Sequence, residues 1–232
     1  MPIIREDPLN RMRVVVLAIV LINLPSLSAR AATTERWLCG DSQATELQLQ
    51  HDFKGQPESA PATFTIAGLT LNKSTFKDVE ARFGPSTPAS RSSDPDGFNE
   101  CYKSARWPAD PTVLILMAGY EGESEEINAF MLKSDSSPEA SKCVTSRLVR
   151  SDMATGTHLS LGLSQDDIQK ILGDGRPGAE GFRRWFYSGK LQLSAAEAKL
   201  AGTTFYYKDS GVTARFHDSK ADCISVFQVE SY

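Results

Sequence analysis

Three histidines, twenty-nine acidic residues and four cysteines are the groups with which this 232-residue chain could do chemistry. Two of the histidines, His51 and His217, precede an aspartate, while His158 stands apart. Neighbouring side chains on a strand point to opposite faces, so the steps His51-Asp52 and His217-Asp218 do not make acid–base pairs by adjacency. The chain contains neither a Gly-x-Ser-x-Gly elbow nor a His-Glu-x-x-His helix. Gly173-Asp-Gly-Arg-Pro-Gly178 matches the dinucleotide fingerprint in letters. It follows a helical segment, however, whereas phosphate binding needs the glycines to follow a strand and open a helix. A helix stop and turn is expected there. Asp94-Pro-Asp-Gly97 has part of a calcium-loop pattern, but Lys103 occupies the position of the bidentate Glu and Pro95 interrupts the loop, so a simple turn is expected. No catalytic residue, metal ligand or cofactor is assigned.

The cysteines, Cys39, Cys101, Cys143 and Cys223, carry a different chemistry. An even number in an exported chain predicts two disulfides. Cys101–Cys143 with Cys39–Cys223 is the favoured pairing, because the first bridge ties a sheet to its exit segment and the second joins the chain ends. The alternative keeps the bridges within each half, Cys39–Cys101 and Cys143–Cys223. The absence of a Cys-x-x-Cys step argues against a thioredoxin-like site or a zinc ribbon.

Two places offer partner-binding groups. The loop 118–126 presents one aromatic residue, Tyr120, beside Glu121 and three further acids. Aromatic anchors with charged neighbours are common in protein interfaces. Trp185 belongs to the aromatic-rich second half and is the other candidate, for a partner surface or, with Tyr206, for the wall of a small-ligand cavity.

The elements that must position these groups follow from a pattern that occurs twice. The segments 66–85 and 159–173 each read as a short apolar strand end, a helix cap, two turns of amphipathic helix and a glycine stop. Thr75 and Ser164 are the expected N-caps, with Asp78 and Asp167 three residues on. Phe76, Val79 and Phe83 form the apolar face of the first helix; Ile168, Ile171 and Leu172 form that of the second. Phe83 and Leu172 are expected to be equivalent core positions, followed by the stops Gly84 and Gly173. Strands are expected at 113–117 and 127–132 and again at 212–216 and 224–229. Residues 100–103 and 204–208 are expected to start the two sheets, with a further strand at 182–187 and a helical turn or two at 194–200. The reading is α+β: two tandem repeats, each a short helix packed on its own antiparallel sheet of about three to four strands. The domains would be a signal peptide at 1–31, an N-terminal segment at 32–60, repeat one at 61–142 and repeat two at 143–232.

The Leu-x-Leu, cap, helix and glycine signature of the two segments, with Gly68 before the first Leu-x-Leu, resembles the repeat of the small-protein-A (BamE-like) and β-lactamase-inhibitor-protein-like superfamily. That resemblance implies a bacterial envelope or secreted module that binds proteins. The inhibitor branch of that superfamily uses an acidic residue beside a tyrosine on a hairpin loop, to which Tyr120-Glu121 is comparable in kind.

The amino terminus agrees with export. Arg5, Arg11 and Arg13 precede an apolar run at 14–24 and the Ala29-Arg30-Ala31 cleavage site. Cleavage would leave a periplasmic or secreted protein with no stable membrane insertion. The net charge of −4, with both signs scattered, argues against nucleic acid as a partner. The expected function is non-catalytic binding of another envelope protein, as an accessory scaffold or an enzyme inhibitor. The alternatives are a small periplasmic hydrolase and a small-ligand carrier.

Overall fold

The computed structural model describes residues 39–40, 57–94, 97–118, 126–179 and 181–231. A 3-10 turn at Pro61–Phe64 leads into a small hairpin, β1 (Thr65–Ile66) and β2 (Leu69–Thr70), and then helix α1 (Phe76–Phe83). Strands β3 (Arg91–Asp94), β4 (Gly97–Ser104), β5 (Thr112–Ala118) and β6 (Ala129–Ser134) follow, then β7 (Val144–Ser146). Helix α2 (Gln165–Leu172) opens a second run: β8 (Arg176–Pro177), β9 (Phe182–Gln192), the short helix α3 (Ala195–Ala201), β10 (Phe205–His217) and β11 (Lys220–Ser231).

Both main helices begin and end where side-chain chemistry requires. Asp78 N–H donates to Thr75 Oγ1 and Thr75 N–H to Asp78 Oδ2, a reciprocal capping box. Asp167 N–H donates to Ser164 Oγ at the second start. The Thr75 N–H and then its hydroxyl hold the Asp78 carboxyl below the usual carboxylate range, and the Ser164 hydroxyl does the same for Asp167. Gly84 and Gly173, at φ 103° and 81°, end the helices in conformations that a side chain would disfavour.

The expectation of two repeats, each a helix on its own small sheet, is corrected. The strands form one nine-stranded sheet in the order β3-β4-β5-β6-β11-β10-β9-β8, with β7 added in parallel beside β4. The strand content far outweighs the short helices. The fusion occurs where β6 meets β11 antiparallel, from Ala129↔Phe227 to Lys133↔Cys223. Its physical cause is the composition of these two strands. Ala129, Phe130, Met131 and Leu132 are all buried, as are Cys223, Ile224, Ser225, Val226 and Phe227. Strands apolar on both faces belong in the middle of a covered sheet, where backbone groups are paired on both sides. A second correction concerns residues 100–103 and 204–208, neither of which starts a sheet: 100–103 lie in β4, after β3, and 205–208 open the 13-residue β10, after β9.

Alternation along the strands sorts the core into two layers. On the helix side, Val79 and Phe83 of α1 and Ile168 of α2 pack with Tyr102, Leu114, Leu116, Phe130, Leu132, Val212, Trp185, Ile224 and Val226. Here too the sequence expectation is modified. Phe83 is buried, but Leu172 is only partly so, and Ile168 is the fully buried residue of α2. The opposite face carries Met117, Ala129, Met131, Phe186, Cys223 and Phe227, joined by Cys39. Those side chains are buried as well, so this stretch of the second face is not an open surface.

Candidate functional site

The four cysteines form Cys39–Cys223 and Cys101–Cys143, the pairing favoured from the sequence. The first closes a separation of 184 residues and fastens Cys39 to the central strand β11. The second ties β4 to the entry of β7, whose parallel pairing Tyr102↔Val144 begins one residue further on. These are the covalent bonds expected of a chain from an oxidising compartment. No helix among the described residues is long and apolar enough to cross a membrane.

The buried acids serve the scaffold. Glu100, fully buried on β4, accepts from Arg91 Nε at 2.9 Å and from the Tyr102 hydroxyl at 2.9 Å. The same arginine reaches Glu80 of α1, whose carboxylate also accepts from the Ser86 hydroxyl and N–H. Burial, together with the bond to Glu100, pushes the Tyr102 hydroxyl up out of any useful titration range. The network therefore clamps α1 to the sheet edge. Asp110 is a second clamp, between the turn after β4 and residue Ser151.

The sequence motifs take ordinary structural roles. Gly173 caps α2 and is followed within three residues by β8, so the fingerprint-like run is a helix stop. Asp94 and Gly97 face each other across the β3–β4 hairpin. His217 Nε2 lies 3.5 Å from Asp218 Oδ2, but both side chains are almost fully exposed. Tyr120 and Glu121 lie outside the described residues. Trp185 belongs to the core, contrary to its role as a surface anchor. Its indole N–H donates to Gly173 O at 2.8 Å, and its ring rests on Gly175, where a Cβ would come within 2.6 Å of it. A depression of about 320 Å³ between α2 and β9 is lined by Gln165, Pro177, Phe182, Arg183 and Phe216. It is shallow, and Arg183 within it already donates to Gly175 O.

The exposed site that the fold does build lies at the far end of β9 and β10. These two strands pair antiparallel from Phe182↔Arg215 to Gln192↔Phe205, with α3 between them in the chain. On the second face, register places Lys190 opposite Tyr207 and diagonal to Phe205. Lys190 Nζ sits 3.3 Å from the Phe205 ring centroid and 5.9 Å from that of Tyr207. The two rings meet edge to face at 5.6 Å. Tyr207 is 41% exposed, one of two large exposed apolar side chains among the described residues. A rigid aromatic pair bridged by a cation on a stiff hairpin has the chemistry of an interface anchor. The sequence signal for it was the run Phe205-Tyr-Tyr207 with Lys190 upstream; only the strand register brings the three together. No protein-family model, curated protein or solved structure matches the chain.

Proposed function

We infer that this chain is an exported, disulfide-locked, non-catalytic protein that binds another protein of the bacterial envelope, as scaffold or inhibitor. The observation that carries this reading is the Lys190–Phe205–Tyr207 cluster, an exposed aromatic and cationic group fixed on a hairpin. Two features support it. Both disulfides suit an oxidising compartment, and the buried acids are committed to the scaffold rather than gathered around a cleft. The signature shared with envelope modules points the same way.

The test places a photo-crosslinking benzoylphenylalanine at position 207 of the exported protein, and at the exposed Asp166 of α2 as a control. A discrete adduct from 207, competed by unlabelled wild type but not by unlabelled Tyr207→Ala, and not seen from 166, is the expected result. No saturable adduct from 207, or turnover of generic ester, peptide or glycan substrates by the purified protein, would overturn the reading.

A further inference from the structure

Strand β9 has an outer edge that the described sheet uses only at its start. Its partner on that side, β8, pairs only with Arg183 and Arg184. From residue 187 to 192, no described residue pairs with the outer edge. The hydrogen-bonding phase of the hairpin fixes which groups face out. Phe216 N–H donates to Gly181 O, and Leu193 N–H donates to Thr204 O, one at each end of the β9–β10 register. Hydrogen-bonded pairs alternate with non-bonded ones along an antiparallel ladder, so the odd-numbered residues of β9 bond to β10. The even-numbered ones face away. The donation from Gly178 N–H to Phe182 O, on the outer side, agrees with this phase. Ser188, Lys190 and Gln192 therefore each present an N–H and a C=O outward, along an edge of about 16 Å.

The open stretch has a sign. Residues 187–192 read Tyr-Ser-Gly-Lys-Leu-Gln, with the exposed Lys190 as their one charged side chain and no acid, on a chain whose net charge is −4. The stretch also contains no proline to block pairing.

We propose that residues 187–192 of β9 are a docking edge at which an extended, acidic segment of the partner adds as a further antiparallel strand. The inference rests on the protein-binding reading above and names the mode and chemistry of that binding. Three outward residues supply main-chain bonds, and Lys190, with no acid along the segment, favours an acidic incoming strand. On the second face, side chains of the added strand would lie beside Lys190, next to the exposed Tyr207 and Phe205. A second copy of this chain is the competing occupant. Its own 187–192 would bring the same lysine and the same lack of acids to the edge, so it offers no charge complementarity.

The experiment uses the oxidised protein and a fluorescent probe peptide, acetyl-Thr-Val-Glu-Val-Glu-Val-Thr-amide, followed by anisotropy. Ser188→Pro removes an outward N–H that the β9–β10 ladder does not use, which an edge strand tolerates. Saturable binding to wild type, weakened about tenfold or more in Ser188→Pro, is expected. A peptide N-methylated along one edge should bind comparably poorly. Should Ser188→Pro fail to fold, Lys190→Glu keeps every backbone bond and should shift preference to the Lys-for-Glu peptide. Equal binding of the N-methylated peptide, equal binding by Ser188→Pro, or no saturation by about 1 mM would overturn the proposal. So would a doubling of mass by light scattering that Ser188→Pro abolishes, since the edge would then serve a second copy. If crosslinking from position 207 still captures its partner while these peptide tests fail, the edge is wrong and the protein-binding function stands.

Discussion

Asp110 offers the sharpest test of how the scaffold is held. The residue is 5% exposed and joins two segments that the sheet leaves apart. One oxygen, Oδ1, accepts from the Thr112 hydroxyl at 2.6 Å and the Thr112 N–H at 3.3 Å. The other, Oδ2, accepts from the Ser104 hydroxyl at 3.0 Å and the Ser151 N–H at 3.3 Å. Asp110→Asn keeps the shape and turns one acceptor into a donor. With the amide oxygen on the Thr112 side, the amide NH2 meets the Ser151 N–H donor to donor, and Arg106 loses its ionic partner. A buried N–H without an acceptor costs about 1–3 kcal/mol, and bonds to a charged acceptor weaken when the charge is removed. Together these put the loss at about 2–4 kcal/mol at neutral pH. Burial pushes the Asp110 carboxyl up, but the bonds from Thr112, Ser104 and Ser151 outweigh it and hold it below the usual range. A depressed folded pKa contributes stability above the unfolded value of about 3.9, lost as pH falls through the folded one. The gap between wild type and Asp110→Asn should therefore be full at pH 7 and shrink below about pH 4. Urea unfolding at a series of pH values measures it. A variant within about 0.5 kcal/mol of wild type at pH 7, or a gap that does not change with pH, would refute the reasoning.

Three further outcomes follow from the core and the bridges. Replacing Cys39 and Cys223 by Ala should cost about 5 kcal/mol and replacing Cys101 and Cys143 about 4, because the first bridge closes the longer loop; denaturant midpoints rank the two. Phe83→Ala should cost about 3–5 kcal/mol, whereas Leu172→Ala, only partly buried, should cost about 1, and equal losses would show that the two helices seat alike. Gly175→Ala should push the Trp185 indole off its bond to Gly173, costing about 1–3 kcal/mol; unshifted tryptophan emission at unchanged stability would mean that the contact is slack.

Local structure was legible in the sequence wherever one residue type had one physical use. Thr75, Ser164, Gly84 and Gly173 bound the helices as caps and stops, and residues 113–117 and 224–229 lie within β5 and β11. The joining of the sheets was not legible, because pairing of β6 with β11 links residues about ninety apart and periodicity carries no information about which strand lies beside which. The same strands did announce the result indirectly: apolar residues on both faces needed a neighbour on each side. Trp185 misled for a related reason. An aromatic on a strand reads the same whether its ring lies on a glycine in the core or faces a partner, and here Gly175 decides the matter. The Lys190–Phe205–Tyr207 cluster was hidden until register set residue 190 opposite residue 207.

Function is best sought where the two ends of the sheet differ. The strand order β3-β4-β5-β6 runs inward from one edge, and β8-β9-β10-β11 runs inward from the other. At the first edge, β4 is covered along almost its whole length, by β3 against residues 97–100 and by β7 against residues 102–104. A disulfide then locks β7 in place. At the second edge, β8 covers two residues of an 11-residue strand. An open edge invites unwanted pairing, and sheets normally cap or shorten it. This chain does so on one side with two strands and a covalent bond. On the other, no described residue pairs with the outer edge of β9 over residues 187–192, and a cation sits against two aromatic rings beside it. By the proposal above, that stretch of β9 is a better place to look for a partner than the covered sheet faces.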